Sequence, residues 1–330
     1  MKYKSVLLTK RGGPDVLKVI ENEIRVPEKN EVLIKIQSCG VGLTDVAMRN
    51  GYYPYAPKIP FIPGYEIVGT IESTGNEVSA FKVGDSVASL TVYGGYSEYI
   101  YLNTEDLVKV PEGLNSDKAV AIILNYTTAY QMLIRLTNVR EGDKVLITGA
   151  SGGVGSALVD LGKYFKLKMY GTASVNKHRE LLQKGVTPID YRTEDFVKFI
   201  HNKEPKGLDY VFDGIGGSFI DKSFSLLRKG GKLVEYGYPS YSGMIKGFIK
   251  ILLLNFLPNG RKSEFYGISG SYKKNREIIL KDITFLFQLL EENKIEPLIY
   301  KKMTLLEAAD ANRLLESGEV VGKIVLTRND

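Results

Sequence analysis

Residues 145–163 read "VLITGASGGVGSALVDLGK", and this stretch decides the fold. An apolar run passes through a cluster of glycines into a segment with helical spacing, which predicts a strand, a tight turn and a helix. The turn is the dinucleotide-binding fingerprint with alanine in place of its first glycine. In that fingerprint Gly152 lets the backbone approach a pyrophosphate and Gly155 lets the helix pack closely on the strand, while the helix start presents unpaired N–H groups to the phosphates. The predicted contacts are Ala150, Gly152, Gly153, Val154 and Gly155.

The sequence on either side of this turn changes character twice. Strand and helix candidates alternate over residues 122–264, which implies a parallel sheet covered on both faces. Short β-like runs separated by turn residues fill residues 1–121, and they predict a mostly antiparallel β domain. The pattern changes again beyond Phe265. We therefore expect an α/β protein in which a Rossmann domain, residues 122–264, is inserted into a β-rich domain made of residues 1–121 and 265–330.

The last part of the chain carries specific helix and strand signals. Thr304 followed three residues later by Glu307 fits a capping box, and Gly318 fits the end of the helix that follows. The final strand candidate runs from Lys323 to Thr327.

Residues 170–180, "YGTASVNKHRE", predict which coenzyme is bound. A carboxylate about 20 positions after the glycine turn would bind a free ribose 2′-hydroxyl, but none lies between Tyr170 and Arg179. Ser174 and Lys177 can instead hydrogen-bond and neutralise a 2′-phosphate. The sequence therefore predicts NADPH, and the alternative for Lys177 alone is a solvated surface lysine.

Composition excludes several classes of protein. Lysine and arginine number 44 against 38 acidic residues, and the resulting charge of +6 is spread along the chain, unlike a nucleic-acid-binding patch. A single cysteine rules out an internal disulfide. The start "MKYKSVLLTKRGG" shows no signal-peptide cleavage site, so we expect a cytoplasmic protein.

The longest apolar stretch is "GFIKILLLNFLP", residues 247–258. It is interrupted by Lys250 and Asn255 and is too short to span a bilayer. We favour a buried or interfacial helix that covers a domain junction. A helix lying on a membrane surface, flanked by Lys246 and Lys250, is the less favoured alternative.

These features, together with "IPFIPGYEIVGTIESTGNEVSAFKVGDSVA", "GGYSEYIYL" and "GKIVL", resemble the medium-chain dehydrogenase/reductase superfamily over nearly the whole chain. The resemblance implies a GroES-like catalytic domain beside the Rossmann domain. Zinc alcohol dehydrogenases of this group carry Cys-His-Thr-Asp where this chain has residues 42–45, Gly-Leu-Thr-Asp, and Gly-His-Glu where it has residues 64–66, Gly-Tyr-Glu. Since zinc needs thiolate, imidazole or carboxylate ligands, we expect no metal.

Cys39 is predicted to be a buried small side chain, without the basic partner of a reactive thiol.

The pattern without zinc ligands is similar to the quinone oxidoreductases, with "GLTDVAMRNGYYP" resembling their N-x-x-D-x-x-x-R-x-G-x-Y-P segment. "LNYTTAYQML" and "YGTASVNKH" are especially similar to the vesicle amine transport protein branch. Gly42 departs from the family's asparagine, which removes one polar substrate contact. The resemblance implies a homodimer. It also places Tyr53, Thr127 and Asp45 near the nicotinamide, and it adds Tyr191, Gly214, Ile215, Gly216 and Tyr238 as coenzyme contacts.

Two functions follow from this reading. The first is a metal-free, NADPH-dependent reductase of quinones or α,β-unsaturated carbonyls, in which Tyr53 donates a hydrogen bond to the developing charge; a tyrosine that only packs is the alternative role for Tyr53. The second is a nucleotide-binding protein with little turnover, used for interaction or membrane association, and the apolar residues 247–258 favour it. A zinc alcohol dehydrogenase is a distant third possibility.

Overall fold

The computed structural model describes residues 1–238 and 240–328. The chain forms two compact units. Unit 1 consists of Met1–Thr127 and Tyr272–Asp330, and unit 2 consists of Thr128–Ser271.

The first part of the chain contains seven strands and three short helices. The strands are β1 (Lys2–Leu8), β2 (Leu17–Glu23), β3 (Glu31–Val41), β4 (Ile67–Thr74), β5 (Ser86–Ser89), β6 (Tyr99–Asn103) and β7 (Val108–Lys109). The helices are α1 (Leu43–Arg49), α2 (Ser116–Ala121) and α3 (Thr127–Tyr130). Two π-helical turns, Ile122–Tyr126 and Gln131–Leu136, flank α3.

The middle of the chain alternates strands and helices. The strands are β8 (Lys144–Thr148), β9 (Lys168–Thr172), β10 (Val186–Ile189), β11 (Leu208–Asp213), β12 (Leu227–Glu235) and β13 (Lys262–Phe265). The helices are α4 (Gly153–Tyr164), α5 (His178–Gln183), α6 (Phe196–Lys203), α7 (Phe219–Ser225) and α8 (Tyr241–Leu254). The last part contains α9 (Ile268–Glu291), β14 (Ile299–Thr304), α10 (Ala308–Glu316) and β15 (Lys323–Thr327).

Unit 2 is built on a six-stranded sheet with the order β10-β9-β8-β11-β12-β13. Every pairing in it is parallel. Strand order reverses at β8, because β9 and β10 lie on one side of it and β11, β12 and β13 on the other. This is the doubly wound Rossmann arrangement, whose ligands bind at the carboxyl ends of the strands beside that reversal. The predicted fold class is confirmed.

Unit 1 is built on a sheet with the order β14-β15-β3-β4-β5-β7, in which β6 also pairs with β3. The pairs of β3 with β4, β6 and β15 are antiparallel, and only β14 with β15 is parallel. Central β3 reads "EVLIKIQSCGV", and its apolar side chains, among them Ile34 and Ile36, are buried. Cys39 lies in this strand opposite Leu326 and is 1% exposed, so the prediction of a buried small side chain is confirmed. Burial raises the pKa of its thiol, which keeps it protonated.

The predicted signals at the end of the chain are also present. Glu307 accepts a hydrogen bond from the Thr304 backbone N–H at 2.7 Å, which forms the capping box. It opens a 3₁₀ turn that leads into α10, and Gly318 follows that helix at φ +74°. The last strand has the predicted bounds, Lys323–Thr327.

Candidate active site

The glycine turn of unit 2 joins β8 to α4. Gly155 lies in the first turn of α4, and a Cβ there would stand 2.2 Å from the Gly149 carbonyl oxygen, so only glycine fits. Gly152 is the N-cap of α4 and has no side chain to bond the first N–H groups. A Cβ on Gly152 would meet Gly149 at 3.4 Å, an ordinary contact. Internal packing therefore requires Gly155 but not Gly152, and the open helix start fits a ligand phosphate.

Ala150 replaces the first glycine of the fingerprint without blocking the turn. It is fully buried, and its N–H donates to the Thr172 carbonyl on β9 at 3.1 Å. The space for its methyl group comes from Gly171, where a Cβ would lie 2.8 Å from the Ala150 Cβ. The exchange of glycine for alanine is thus accommodated by a glycine on the neighbouring strand. Gly153 and Val154 form the start of α4 and are half-buried.

The region expected to meet the ribose follows β9. Ser174 is half-buried and donates to Asn176 Oδ1 at 2.7 Å. Lys177 is only 8% exposed, so the alternative of a solvated surface lysine is wrong. Tyr191 follows β10 and is 44% exposed, with the Arg192 guanidinium 5.8 Å from its ring centroid. Arg192 was not singled out from the sequence, although its position beside a predicted coenzyme contact was a usable signal.

The ends of β11 and β12 carry two buried carboxylates that the sequence analysis missed. Asp213 accepts from Thr148 Oγ at 2.5 Å and from the N–H groups of Ile215 and Gly216 at 2.9 and 3.2 Å. It therefore shapes the turn that carries the predicted contacts Gly214, Ile215 and Gly216. Acidic residues ending two consecutive strands of a parallel sheet are the signal that would have found this pair.

Glu235 lies opposite Asp213 in the register of the two strands. It is 2% exposed, and burial together with the Asp213 charge raises the pKa of Glu235 to about 10, so the group is neutral near pH 7. A Cβ on Gly216 would stand 2.6 Å from its Oε1, which requires glycine there at φ +72°. Tyr238, beyond the strand, stacks on Phe265 with ring centroids 6.1 Å apart.

The candidate donor Tyr53 lies in unit 1 in a pair of tyrosines. Its hydroxyl is 2.6 Å from the Tyr65 hydroxyl, and the two rings meet edge to face at 5.9 Å. Tyr65 is fully buried and Tyr53 half-buried. In the sequence Tyr65 is recognisable only as the replacement for a zinc ligand; its contact with Tyr53 joins residues 12 positions apart.

Asp45 is 1% exposed and binds backbone through both carboxylate oxygens. One accepts from the Gly42 N–H at 2.9 Å and the other from the Gly64 N–H at 3.0 Å. Burial raises the pKa of Asp45 to about 6, against the lowering effect of these N–H groups and of Lys323. In this structure its contacts hold the start of α1 and the Gly64 turn.

Thr127 is fully buried, and its hydroxyl donates to the Ile122 carbonyl at 3.1 Å, across the π-helical turn. Nearby in the same turn, the Leu124 N–H donates to Glu66 Oε2 at 2.7 Å. Within unit 1, the tripeptide Gly64–Tyr65–Glu66 therefore bonds to Asp45, to Tyr53 and to the turn that precedes Thr127. The predicted catalytic residues are joined through a segment that the sequence analysis did not assign to the site.

Comparison with known proteins identifies the family. The alcohol dehydrogenase GroES-like domain matches residues 28–112, and the zinc-binding dehydrogenase domain matches residues 184–326. A synaptic vesicle membrane protein VAT-1 homolog from Danio rerio is 34% identical over 98% of this chain and 70% of its own length. The quinone oxidoreductase of Lama guanicoe is 31% identical over 98% of this chain and 97% of its own length. The chain belongs to the quinone oxidoreductase family of the medium-chain dehydrogenases/reductases. Escherichia coli quinone oxidoreductase, solved in complex with NADPH, superposes with a TM-score of 0.89 at 26% identity, covering 98% of this chain and 99% of that one.

As a member of this family the chain is an oxidoreductase with a nicotinamide-dinucleotide fold. The domain described as a zinc-binding dehydrogenase matches residues 184–326. Gly42, Leu43 and Tyr65 lie outside that match, at the positions where the family resemblance puts the zinc ligands of alcohol dehydrogenases. Glu66 forms a buried ion pair with Lys323, and both side chains are at most 2% exposed. Over residues 1–238 and 240–328, no group of three or more His, Cys, Asp or Glu side chains is arranged to hold a metal ion.

None of the helices in the described part of the chain combines the length and the apolar content needed to span a bilayer.

Proposed function

We propose that this quinone oxidoreductase family member is an NADPH-dependent reductase that transfers hydride to quinones or α,β-unsaturated carbonyls without a metal ion. The observation that carries the proposal is the Tyr53–Tyr65 pair, with 2.6 Å between hydroxyl oxygens, at a position where zinc-bearing relatives have a ligand. Family membership supports the reaction class, and the NADPH carried by the bacterial relative supports the same coenzyme here.

The proposed coenzyme residues are divided by the part of the molecule they would hold. The turn from Ala150 to Gly155 fits the pyrophosphate, because Gly152 leaves the start of α4 open. Ser174 and Lys177 fit a 2′-phosphate, and no carboxylate in residues 170–179 would repel it. The remaining proposed contacts are Tyr191, Gly214, Ile215, Gly216 and Tyr238. When bound, NADPH supplies the hydride, and the chain supplies position and a proton.

The proton is assigned to Tyr53. When hydride adds to the electron-poor carbon of a conjugated acceptor, the displaced electron pair moves to the carbonyl oxygen. Tyr53 then transfers its hydroxyl proton to that oxygen. The phenolate left on Tyr53 accepts a hydrogen bond from the buried Tyr65 hydroxyl, and solvent restores the proton. Conjugation spreads the charge, so a few donors suffice where alcohol oxidation would need a metal to stabilise alkoxide.

Asp45 and Thr127 contribute to the proton transfer indirectly, by holding the residues next to the tyrosine pair. Asp45 holds Gly64, the neighbour of Tyr65, and Thr127 closes the π-helical turn whose Leu124 binds Glu66. We therefore assign them as positioning residues, which fix where the tyrosine pair stands.

A substrate panel tests the proposal. NADPH oxidation is followed with quinones, enones and saturated aldehydes, and NADP⁺ reduction with simple alcohols. We expect turnover only with the conjugated acceptors and no loss of rate with a chelator. Alcohol oxidation, or activity abolished by the chelator, would refute the metal-independent reductase. NADPH binding without turnover of any quinone or enone would favour the low-turnover nucleotide-binding protein.

Coenzyme choice is tested at Lys177. Lys177→Asp removes an attractive charge beside the 2′-phosphate and adds a repulsive one, so NADPH affinity should fall by about tenfold or more. Affinity for NADH should change little. Lys163→Asp, an exposed site on α4, makes the same change in net charge and should leave both affinities unchanged. Equal affinity of the parent protein for the two coenzymes would contradict the assignment.

A further inference from the structure

Lys273 of helix α9 holds its ammonium group over an aromatic ring beside the proposed proton donor. Its Nζ lies 4.5 Å from the centroid of the Tyr55 ring, which is a cation–π distance. The Tyr55 ring in turn meets the Tyr53 ring edge to face, with centroids 6.3 Å apart. All three residues belong to unit 1. The ring of Tyr55 therefore holds a positive charge one aromatic side chain away from Tyr53.

The ammonium group of Lys273 is open to solvent. Its side chain is exposed, and Tyr55 is 37% exposed. Among the residues that the structure describes, none forms a salt bridge with Lys273 or accepts a hydrogen bond from its ammonium. A cation over a ring face keeps N–H groups that point away from the ring. Lys273 can therefore bind an anion and keep its contact with Tyr55.

The two acids that contact this part of α9 are bonded to its other polar residues. Glu105 and Asp106 accept hydrogen bonds from Arg276 at 2.9 and 3.0 Å. Asp106 also accepts from the Tyr272 hydroxyl at 3.0 Å. These bonds occupy both carboxylates on either side of Lys273 in the sequence, so an anion that pairs with Lys273 can come from a bound substrate.

The segment that carries the tyrosines adds positive charge and no negative charge. Residues 46–65 contain one arginine and one lysine, but neither aspartate nor glutamate. Arg49 is buried and paired with Glu316, whereas Lys58 is exposed. The field around this segment therefore favours the approach of an anionic molecule.

We propose that this protein prefers conjugated acceptors that carry a carboxylate, and that Lys273 binds this carboxylate while Tyr53 protonates the carbonyl oxygen. A single ammonium group matches the single charge of a carboxylate. The inference rests on the proposed reductase function and adds the class of substrate to it. Lys273 forms only an ion pair, so it determines specificity and takes no part in the transfer of hydride or proton.

Matched substrates test the preference. An enone with a carboxylate at the end of a saturated chain is compared with its methyl ester, in several chain lengths, so that the reacting group stays the same. At the chain length that spans Tyr53 and Lys273, KM for the carboxylate should be about fivefold lower than KM for the ester, the upper range for an exposed ion pair. The two kcat values should be similar. Added salt should reduce the difference, because it screens exposed charges.

Variants at two neighbouring lysines assign the preference to one side chain. Lys273→Gln should raise KM for the carboxylate to the value for the ester and leave kcat unchanged. Lys273→Arg should keep the preference, since the charge remains. Lys274→Gln makes the same change in net charge at the next position, which is also exposed, and is the matched control. It should keep the preference of the parent.

Three results would overturn the inference. Equal KM values of the parent for carboxylate and ester, or an equal loss of preference in Lys273→Gln and Lys274→Gln, would refute it and leave the reductase intact. A raised KM for NADPH in Lys273→Gln, with KM for the carboxylate unchanged, would assign the lysine to the coenzyme. Turnover of neither substrate would refute the reductase and this inference with it.

Discussion

Gly64, Tyr65 and Glu66 show how three adjacent residues connect distant parts of unit 1. Gly64 binds Asp45, Tyr65 binds Tyr53, and Glu66 binds the Leu124 N–H and Lys323. Gly64 must be glycine, because at φ +105° a Cβ would stand 2.4 Å from the Tyr96 nitrogen. The segment that carries a zinc ligand in other members of the superfamily here serves as a hydrogen-bonding centre.

The tyrosine pair makes a testable difference to turnover. Tyr53→Phe should lower kcat at least about tenfold, and up to the roughly 10²–10⁴-fold that a general acid contributes, while NADPH affinity stays unchanged. Tyr65→Phe should lower kcat less, because Tyr53 keeps its proton but loses the partner that stabilises its phenolate. Tyr55→Phe, whose ring lies 6.3 Å from that of Tyr53, is the control and should turn over normally. An unchanged kcat in Tyr53→Phe would show that the Tyr53 side chain only packs and does not donate the proton.

At the scale of single residues, the sequence predicted those features that depend only on residues close together in the chain. Cys39 lies within a single strand, and the Thr304–Glu307 capping box depends on residues only three positions apart. The Glu66–Lys323 pair could not be read from sequence, because its partners meet only after β15 joins β3 in the sheet. The backbone contacts of Asp45 were missed for the same reason, since the Gly64 turn reaches α1 only through tertiary folding.

At the scale of elements, the β8–α4 turn contains two glycines that are needed for different reasons. Gly155→Ala puts a methyl group 2.2 Å from the Gly149 carbonyl and should cost several kcal/mol of unfolding free energy, together with coenzyme binding. Gly152→Ala meets only a 3.4 Å contact at φ −71°, so stability should fall by about 1 kcal/mol or less. Its NADPH affinity should nevertheless drop markedly, because the methyl group stands where a phosphate approaches. Denaturant unfolding beside coenzyme titration separates the two effects, and unchanged NADPH affinity in Gly152→Ala would contradict this reading of the turn.

A buried carboxylate ties α6 to two strands. Glu204, 3% exposed, receives hydrogen bonds from Tyr170 at 2.7 Å and Lys168 at 2.6 Å, and it also pairs with Lys144. Burial opposes ionisation, but these donors prevail and lower the pKa of Glu204 to about 2 from 4.5. Because the folded-state pKa is the lower one, the stabilisation is present above pH 4.5 and is lost as pH falls towards 2.

Glu204→Gln should therefore reduce the free energy of unfolding near pH 7 by about 2 kcal/mol, a value that allows for the solvent exposure of Lys168. The difference from the parent should shrink as pH falls towards 2. Glu141→Gln breaks an exposed pair with Lys166 and serves as control, with little expected change. A destabilisation of Glu204→Gln that stays constant between neutral and acid pH would show that charge is not its cause.

Helix α8 shows where periodicity stops being informative. The apolar run predicted a helix, and α8 is one. The run did not show whether the apolar residues form a single buried face or lie on both sides of the helix. Leucine and isoleucine fill both sides of the helix, so hydrophobic spacing alone gave no direction. Only the packing of Gly247 and Ile251 against unit 2 identifies which side is covered.

At the scale of the whole molecule, the edges of the parallel sheet bear on self-association. The family resemblance implies a homodimer, and an open edge strand would offer unpaired N–H and C=O groups to a second chain. At β13, however, the Asn255 side chain accepts from the Ser263 N–H and donates to the Ser263 carbonyl, both at 2.8 Å. The amide takes the place of a neighbouring strand. At the other edge, β10 contains Pro188, which has no N–H to offer. The homodimer remains a prediction from the resemblance, without support from these edges.

Removing the Asn255 amide tests this protection. Asn255→Ala leaves the outer N–H and C=O of Ser263 without partners, so the free energy of unfolding should fall by about 1–3 kcal/mol. The opened edge can then pair with another chain, and light scattering should report a mass that rises with concentration. The parent protein should keep the mass of two chains over the same range. Asn259→Ala removes an exposed acceptor in the same segment and should behave as the parent. If Asn255→Ala matches the parent in both stability and mass, the amide does not protect the edge strand β13 from pairing. If the parent has the mass of one chain, the homodimer prediction is wrong.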